Sequence, residues 1–154
     1  MNLSRLLAYR RQIEDALRIE LAAAARVLQE SAEQAASHEA EAKAKQRRYA
    51  EAALAGLTVE ETSYWYEDID HASVKARRSA DAHAVLHREW LDKQSMVVGA
   101  MQERKKLDIL IARRREARQQ EELHADQRLM DEQAARRRRG EARWEVPTGR
   151  HSHE

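Results

Sequence analysis

Between residues 3 and 139 the sequence has a single strong break, the segment Ala55-Gly56-Leu57-Thr58. The 154 residues include only four glycines and one proline. A β-sandwich, a β-barrel or a wound α/β sheet needs many more turn residues than that. We therefore expect an all-α chain of one domain, built from long helices.

The composition favours long helices over a compact core. Charged residues make up 36% of the chain, against about 25% in an average globular protein. Alanine contributes 28 residues, and alanine is the best helix former but buries little apolar surface. The chain has no cysteine, which fits a cytosolic location. We find no 18-residue apolar run of the kind that spans a membrane, and no secretory signal in the first eleven residues.

Apolar residues in the first half recur mostly at steps of three and four. This spacing predicts one helix over about residues 3–55 with a coiled-coil seam on one face. The predicted seam contains Leu6, Ile13, Leu17, Leu21, Ala24, Leu28, Ala32, Ala35, Ala42, Tyr49 and Ala53.

The break at Gly56 predicts a tight connection between two helices. Glycine commonly ends a helix in the left-handed conformation. Thr58 and Glu61 then have the spacing of a capping box, which starts a helix. Because the connection is so short, the two helices are expected to be antiparallel neighbours. The predicted hairpin covers residues 1–140, with a turn at about 56–58, a second helix at about 59–139 and a flexible C-terminal tail at 141–154.

A second seam is predicted along the second helix, again from steps near three and four. Its residues are Tyr66, Ile69, Ser73, Ala76, Ala80, His83, His87, Trp90, Gln94, Val97, Met101 and Ile111.

The second helix is expected to overhang the first. At 1.5 Å per residue the helices are roughly 80 Å and 120 Å long, so residues 112–139 have no partner helix in this chain. Charge is banded here, although the net charge of the whole chain is only +1. Residues 104–118 carry +5, residues 119–135 carry −4 and residues 136–143 carry +4. We expect these bands to complement charge on a partner.

No residue pattern indicates catalysis, and we expect no enzyme activity and no cofactor. The sequence has no glycine-rich phosphate loop and no nucleophile elbow. His83 and His87 stand four apart, as zinc ligands on a helix do, but polar positions in a weak seam explain them better. Arginine runs at 113–115 and 136–139 are suited to phosphate, but acidic residues separate them, which favours a solvated or partner-facing helix over a nucleic-acid site.

The densest aromatic cluster follows the turn. It contains Tyr64, Trp65 and Tyr66, with Ile69 one turn later and Tyr49 near the same end of the first helix. Part of this cluster must cover the turn and the seam. Three successive residues of a helix point in different directions, so at least one should face outward as a candidate partner contact.

These features together resemble the family of the flagellar export protein FliJ. The resemblance rests on the hairpin with its glycine turn, on the aromatic and isoleucine cluster after it, and on residues 126–136, DQRLMDEQAAR, which look like the family's Asp-Glu-x-Ala-x-Arg ending. The basic stretches at 104–107 and 113–115 also look like that family.

The resemblance implies a central stalk similar in shape to the γ subunit of rotary ATPases. Such a stalk inserts into a hexameric export ATPase, stimulates it, links it to the cytoplasmic domain of the membrane export gate and is associated with export chaperones. It implies a cytoplasmic protein, peripheral to the inner membrane through its partners. Two alternatives stay open: an injectisome stalk, which is similar in shape, and a homodimeric coiled-coil scaffold, which the alanine-rich seams also fit.

Two sets of residues follow from this assignment. The ATPase is expected at the end of the hairpin away from Gly56, and the gate at the Gly56 end. The expected ATPase contacts are Leu6, Arg10, Ile13, Leu17, Gln127, Leu129, Met130, Asp131, Glu132 and Arg136. The expected gate contacts are Tyr49, Trp65, Tyr66 and Ile69.

Overall fold

A computed structural model describes residues 2–143 and shows two long α-helices that pack against each other. Helix α1 spans Leu3–Ala55 and helix α2 spans Val59–Ala142. The described residues contain no β-strand. The prediction of an all-α helical hairpin is therefore confirmed.

The chain divides into two compact units, Met1–Lys105 and Lys106–Glu154. The first unit, called here the hairpin unit, contains α1 and the first part of α2. The second, called here the C-terminal unit, contains the rest of α2. The helix includes Glu141 and Ala142, which were assigned to the tail, and residues 144–154 of that tail lie outside the described part of the chain.

Residues at the turn cap the end of α1 and the start of α2. Gly56 has a φ of +95°, a region that glycine adopts without steric cost, and its N–H donates to the carbonyl of Ala53 at 3.3 Å. The N–H of Glu61 donates to Thr58 Oγ1 at 3.2 Å, and the N–H of Thr58 donates to Glu61 Oε2 at 3.1 Å. This reciprocal pair is the capping box that the sequence predicts.

The seam of the hairpin unit follows a strict heptad spacing. Buried and half-buried residues recur at alternating steps of four and three on each helix, which is the pattern of a left-handed coiled coil. On α1 they are Arg10, Glu14, Leu17, Leu21, Ala24, Leu28, Ser31, Ala35, His38, Ala42, Lys45, Tyr49 and Ala52. On α2 they are Trp65, Ile69, Ala72, Ala76, Ser79, His83, Leu86, Trp90, Lys93, Val97, Ala100 and Arg104.

Polar pairs join the two helices at several levels. Lys45 Nζ donates to Asp68 Oδ1 at 2.8 Å, His38 is hydrogen-bonded to Ser79, and Arg104 Nε donates to Glu14 Oε2 at 2.5 Å. The partners are 23, 41 and 90 residues apart in sequence, so the separation grows with distance from the turn. This progression is that of an antiparallel pair in a single register.

The predicted seam of α2 is partly wrong. Tyr66, Ala80, His87 and Gln94 are exposed, while Trp65, Ala72, Ser79 and Leu86 occupy the seam. The predicted steps drifted off the heptad phase by one residue, so Ala80, His87 and Gln94 were chosen where the seam contains Ser79, Leu86 and Lys93. A coiled coil holds its heptad phase even where the phase places serine, lysine or arginine between the helices.

Candidate partner-binding surfaces

The aromatic residues near the turn form one cluster in the hairpin unit. Tyr49 of α1 lies between two residues of α2, with ring centroids 6.3 Å from Trp65 and 5.3 Å from Tyr66, both tilted. The Tyr49 hydroxyl donates to the Tyr66 hydroxyl at 3.3 Å. This hydrogen bond raises the pKa of Tyr49 above its ordinary value of 10.0, and desolvation adds to the rise. Ile69 is half-buried in the seam one turn along α2.

The structure brings together three of the four residues predicted for the gate, and it adds others. Tyr66 is 58% exposed and its neighbour Tyr64 is 70% exposed. Leu54 and Val59, on either side of Gly56, are also almost fully exposed. We call these four residues the turn surface. Sequence reasoning missed Leu54 and Val59, although both are large apolar residues that fall outside the heptad phase.

An ion pair tethers α1 to α2 behind this cluster. Lys45 is half-buried and bonds Asp68 across the seam, with Glu41 one turn back at 3.7 Å. The hydrogen bond to Asp68 is the largest cause that raises the pKa of Lys45 above 10.5. Asp68 therefore holds the two helices together beside the aromatic cluster.

The four residues predicted for the ATPase on α1 are all half-buried. Arg10 and Leu17 occupy heptad positions of the seam, and Leu6 and Ile13 lie beside it. Between them Glu14 is only 2% exposed and is paired with Arg104 of α2 and with Arg18 of α1, the latter at 2.6 Å. Part of each of these side chains is thus buried in the hairpin, and the rest of it is exposed to solvent.

The six residues predicted for the ATPase on α2 lie in the C-terminal unit and are all exposed. Leu129 is 57% and Met130 is 69% exposed. The other four are Gln127, Asp131, Glu132 and Arg136. Further along, Arg136, Arg139 and Arg143 line a shallow groove beside Gly140. From Ala112 to Arg143 every described side chain is exposed, so this stretch of helix offers all its faces to a partner.

The histidine pair shows no arrangement that would hold a metal. The His83 and His87 rings lie 6.5 Å apart by centroid, and His87 stacks on Trp90 at 6.1 Å. Residues 2–143 contain no group of three or more His, Cys, Asp or Glu side chains placed to bind an ion. Within the same residues, neither helix has an apolar stretch long enough to cross a membrane.

Comparison with protein families decides the relationship. The model of the flagellar FliJ protein family matches residues 1–143. The chain belongs to the FliJ family. Comparison with curated proteins and with solved structures found no significant match.

Membership of the FliJ family assigns the chain to flagellar protein export. The family is a non-catalytic component of the flagellar export apparatus, in line with the helical hairpin described above. Among the described residues of this FliJ-family chain, the turn surface and the stretch of α2 from Ala112 to Arg143 are exposed.

Proposed function

We propose that this chain is the central stalk of a flagellar export apparatus, which inserts into the hexameric export ATPase, stimulates it and couples it to the export gate. The observation that carries the proposal is the uninterrupted exposure of α2 from Ala112 to Arg143 in a member of this family. A helix of this length with few large apolar side chains gains little from its own chain. Inside a ring, the same side chains all find neighbours.

The ATPase contacts are assigned to Leu129 and Met130, flanked by Gln127, Asp131, Glu132 and Arg136. Two apolar side chains among charges form a small patch of the kind that anchors an interface, with charged neighbours setting the orientation. Leu6, Arg10, Ile13 and Leu17 supply further contacts from α1 through the parts of their side chains that the seam leaves exposed.

The mechanism of stimulation is differential contact. A single asymmetric rod presents a different side chain to each of six equivalent subunits. A ligand shifts a conformational equilibrium only as far as its affinities for the two states differ. The stalk therefore stabilises different nucleotide states in different subunits of the ring. The passage of each subunit through these states in turn speeds ATP hydrolysis.

The gate contacts are assigned to the turn surface and to the cluster of Tyr49, Trp65 and Tyr66, with Ile69. Tyrosine and tryptophan are enriched among residues that carry most of the energy of an interface. The partner is the cytoplasmic domain of the export gate, so the chain is held at the cytoplasmic face of the inner membrane by its partners. Escort of export chaperones completes the proposed role.

Binding measurements with two variants separate the two assignments. Leu129→Ala with Met130→Ala should weaken binding to the purified export ATPase at least about tenfold and leave binding to the gate domain unchanged. Tyr64→Ala with Tyr66→Ala should do the reverse.

A matched control is Val85→Ala with Leu91→Ala, because both residues are large, apolar and exposed in the hairpin unit but belong to neither surface. This control should bind both partners as the wild type does. If the Leu129→Ala, Met130→Ala variant bound the ATPase as tightly as the wild type, Leu129 and Met130 would not be ATPase contacts.

A further inference from the structure

The C-terminal unit contains two adjacent segments of equal length and opposite charge. Residues 113–118, RRREAR, carry four arginines and one glutamate, a net charge of +3. Residues 121–126, EELHAD, carry three carboxylates and no lysine or arginine, a net charge of −3. We call these the basic segment and the acidic segment. Gln119 and Gln120 alone separate them.

The chain leaves these charges without internal partners. Arg113, Arg114, Arg115 and Arg118, together with the carboxylates of the acidic segment, form no ion pair within residues 2–143. All of them are exposed. The charges are therefore available to a second molecule.

Exposed apolar side chains lie on one face on either side of the two glutamines. Ile109, Leu123 and Met130 are 53%, 62% and 69% exposed. Their separations are 14 and 7 residues, whole heptads, which places them on one stripe of the helix. A stripe this short does not bury enough apolar surface to select a partner by itself, so the charges must decide which helix it accepts.

We propose that the C-terminal unit pairs with the same unit of a second copy of this chain, in an antiparallel arrangement centred between Gln119 and Gln120. The arrangement places the basic segment of each copy beside the acidic segment of the other, because the two segments are equal in length and adjacent. Arg113 is then level with Asp126 of the second copy, and the two residues flank the apolar stripe, four residues after Ile109 and three after Leu123.

The two ends of the apolar stripe agree with the same centre. Ile109 of one copy is level with Met130 of the other, so each end of the pairing closes on an apolar contact, while Leu123 is level with Glu116, which occupies the remaining heptad position of the stripe. A parallel pairing in register would place arginines against arginines and carboxylates against carboxylates, which is destabilising. The charge pattern therefore selects one orientation as well as one partner.

The pairing has a consequence for regulation, which rests on the proposed function. It covers Gln127 and Met130, two residues assigned to the ATPase, so the paired form must separate before insertion into the ring. The experiments below use this chain alone, so their outcome does not depend on the ATPase assignment.

The first experiment exchanges the charges. One variant carries Arg113→Glu, Arg114→Glu and Arg118→Glu, and the other carries Glu121→Arg, Glu122→Arg and Asp126→Arg. In sedimentation equilibrium the wild type should approach twice the chain mass of 17.8 kDa with rising concentration, and less readily in high salt because salt screens the pairs. Each variant alone should remain at the monomer mass, because like charges then face each other.

An equimolar mixture of the two variants should recover the dimer mass, because every contact is again between opposite charges. Arg77→Glu with Arg78→Glu and Arg88→Glu is the matched control, since it makes the same change in net charge on exposed residues of the hairpin unit and should dimerise as the wild type does. A wild type that stays monomeric at every concentration, or a mixture that does not recover the dimer, would overturn the proposal.

A second experiment needs no charge change and measures orientation. The chain has no cysteine, so a single introduced cysteine carries the only spin label. Labels at Gln120→Cys should lie within about 15 Å of each other in the dimer, since paired helices stand about 10 Å apart. Labels at Ala134→Cys should lie about 40 Å apart, since each is some 14 residues from the centre. Equal short distances at both sites would show a parallel pair and contradict the proposal.

Discussion

Glu14, the most buried of the described side chains, pairs with both Arg104 and Arg18. Arg104 reaches it across the seam and is mostly covered, whereas Arg18 reaches it along α1 and is about half exposed. A buried carboxylate that loses a partner keeps the cost of its desolvation. The cross-seam pair therefore matters more to the hairpin than the pair within α1.

Replacement of Arg104 by alanine should lower the free energy of unfolding by about 2 kcal/mol, a value reduced from that of a fully buried pair because Arg18 remains. Arg18→Ala, the matched control at the same carboxylate, should cost less than about 1 kcal/mol. Urea denaturation followed by circular dichroism measures both. An equal loss of unfolding free energy in the two variants would show that the pair across the seam contributes no more than the pair within α1.

Alkaline pH should loosen the turn end of the hairpin. The pKa of Lys45 is raised in the folded chain by Asp68, so its contribution to stability is complete below the ordinary lysine pKa of 10.5 and is lost as the pH rises through the folded value. Tyr49 acts in the same direction, since its pKa is raised from 10.0 by the bond to Tyr66. The wild type should thus lose stability above about pH 10.

The variant Lys45→Met with Tyr66→Phe tests this origin. It removes the ion pair and the hydroxyl acceptor, so its stability should be lower at neutral pH but should decline less between pH 9 and pH 12. Thermal denaturation across that range provides the measurement, with Lys43→Met as the control because Lys43 pairs only within α1, with Glu39. An equal decline in the stability of the wild type and the variant between pH 9 and pH 12 would contradict the assignment of the alkaline loss to Lys45 and Tyr49.

At the scale of single residues, the aromatic cluster could be predicted from the sequence and the charged residues of the seam could not. The aromatic cluster was predicted because Tyr49, Trp65 and Tyr66 are conspicuous residues near a turn. Arg104 and Lys93 were not placed in the seam, because a charged side chain gives no apolar signal. Their burial depends on the register of the two helices, which only the pairing of α1 with α2 determines.

At the scale of the elements, two glycines of the chain should respond in opposite ways to the same substitution. Gly56 has a positive φ, so Gly56→Ala should cost about 2 kcal/mol of stability even though the space for a Cβ is open. Gly99 is inside α2 with equally open space, so Gly99→Ala should add up to about 1 kcal/mol. Urea denaturation of both variants tests the pair. A loss of stability at Gly99 would show that the helix needs its glycine.

The helices and their connection were the most predictable elements. Gly56, Thr58 and Glu61 act within a few residues of one another, so their roles can be read locally, and the capping box forms as predicted. The exact seam of α2 could not be read in this way, because its phase is set by the pairing with α1, which brings Ser79, Lys93 and Arg104 into the seam. Leu54 and Val59 were missed for a related reason, since apolar residues are expected to be buried and these are not.

At the scale of the whole molecule, the hairpin unit and the C-terminal unit differ in how far their described side chains are buried. The first has a seam, polar pairs that join its two helices and a capped turn. The second is a stretch of α2 whose described side chains are exposed from residue 112 onward. In line with the low apolar content of the chain, this stretch adds no buried residue to a core. The FliJ family match associates the chain with the flagellar export apparatus.

The rate of ATP hydrolysis by the purified cognate export ATPase, with and without this chain, tests the central claim most directly. The full chain should raise the rate, and a variant that lacks residues 127–139 should not, although circular dichroism should show that the rest of the chain keeps its helicity. The Val85→Ala, Leu91→Ala variant should stimulate as the wild type does. Stimulation by the deletion variant equal to that by the full chain would contradict the claim that the C-terminal unit acts on the ATPase.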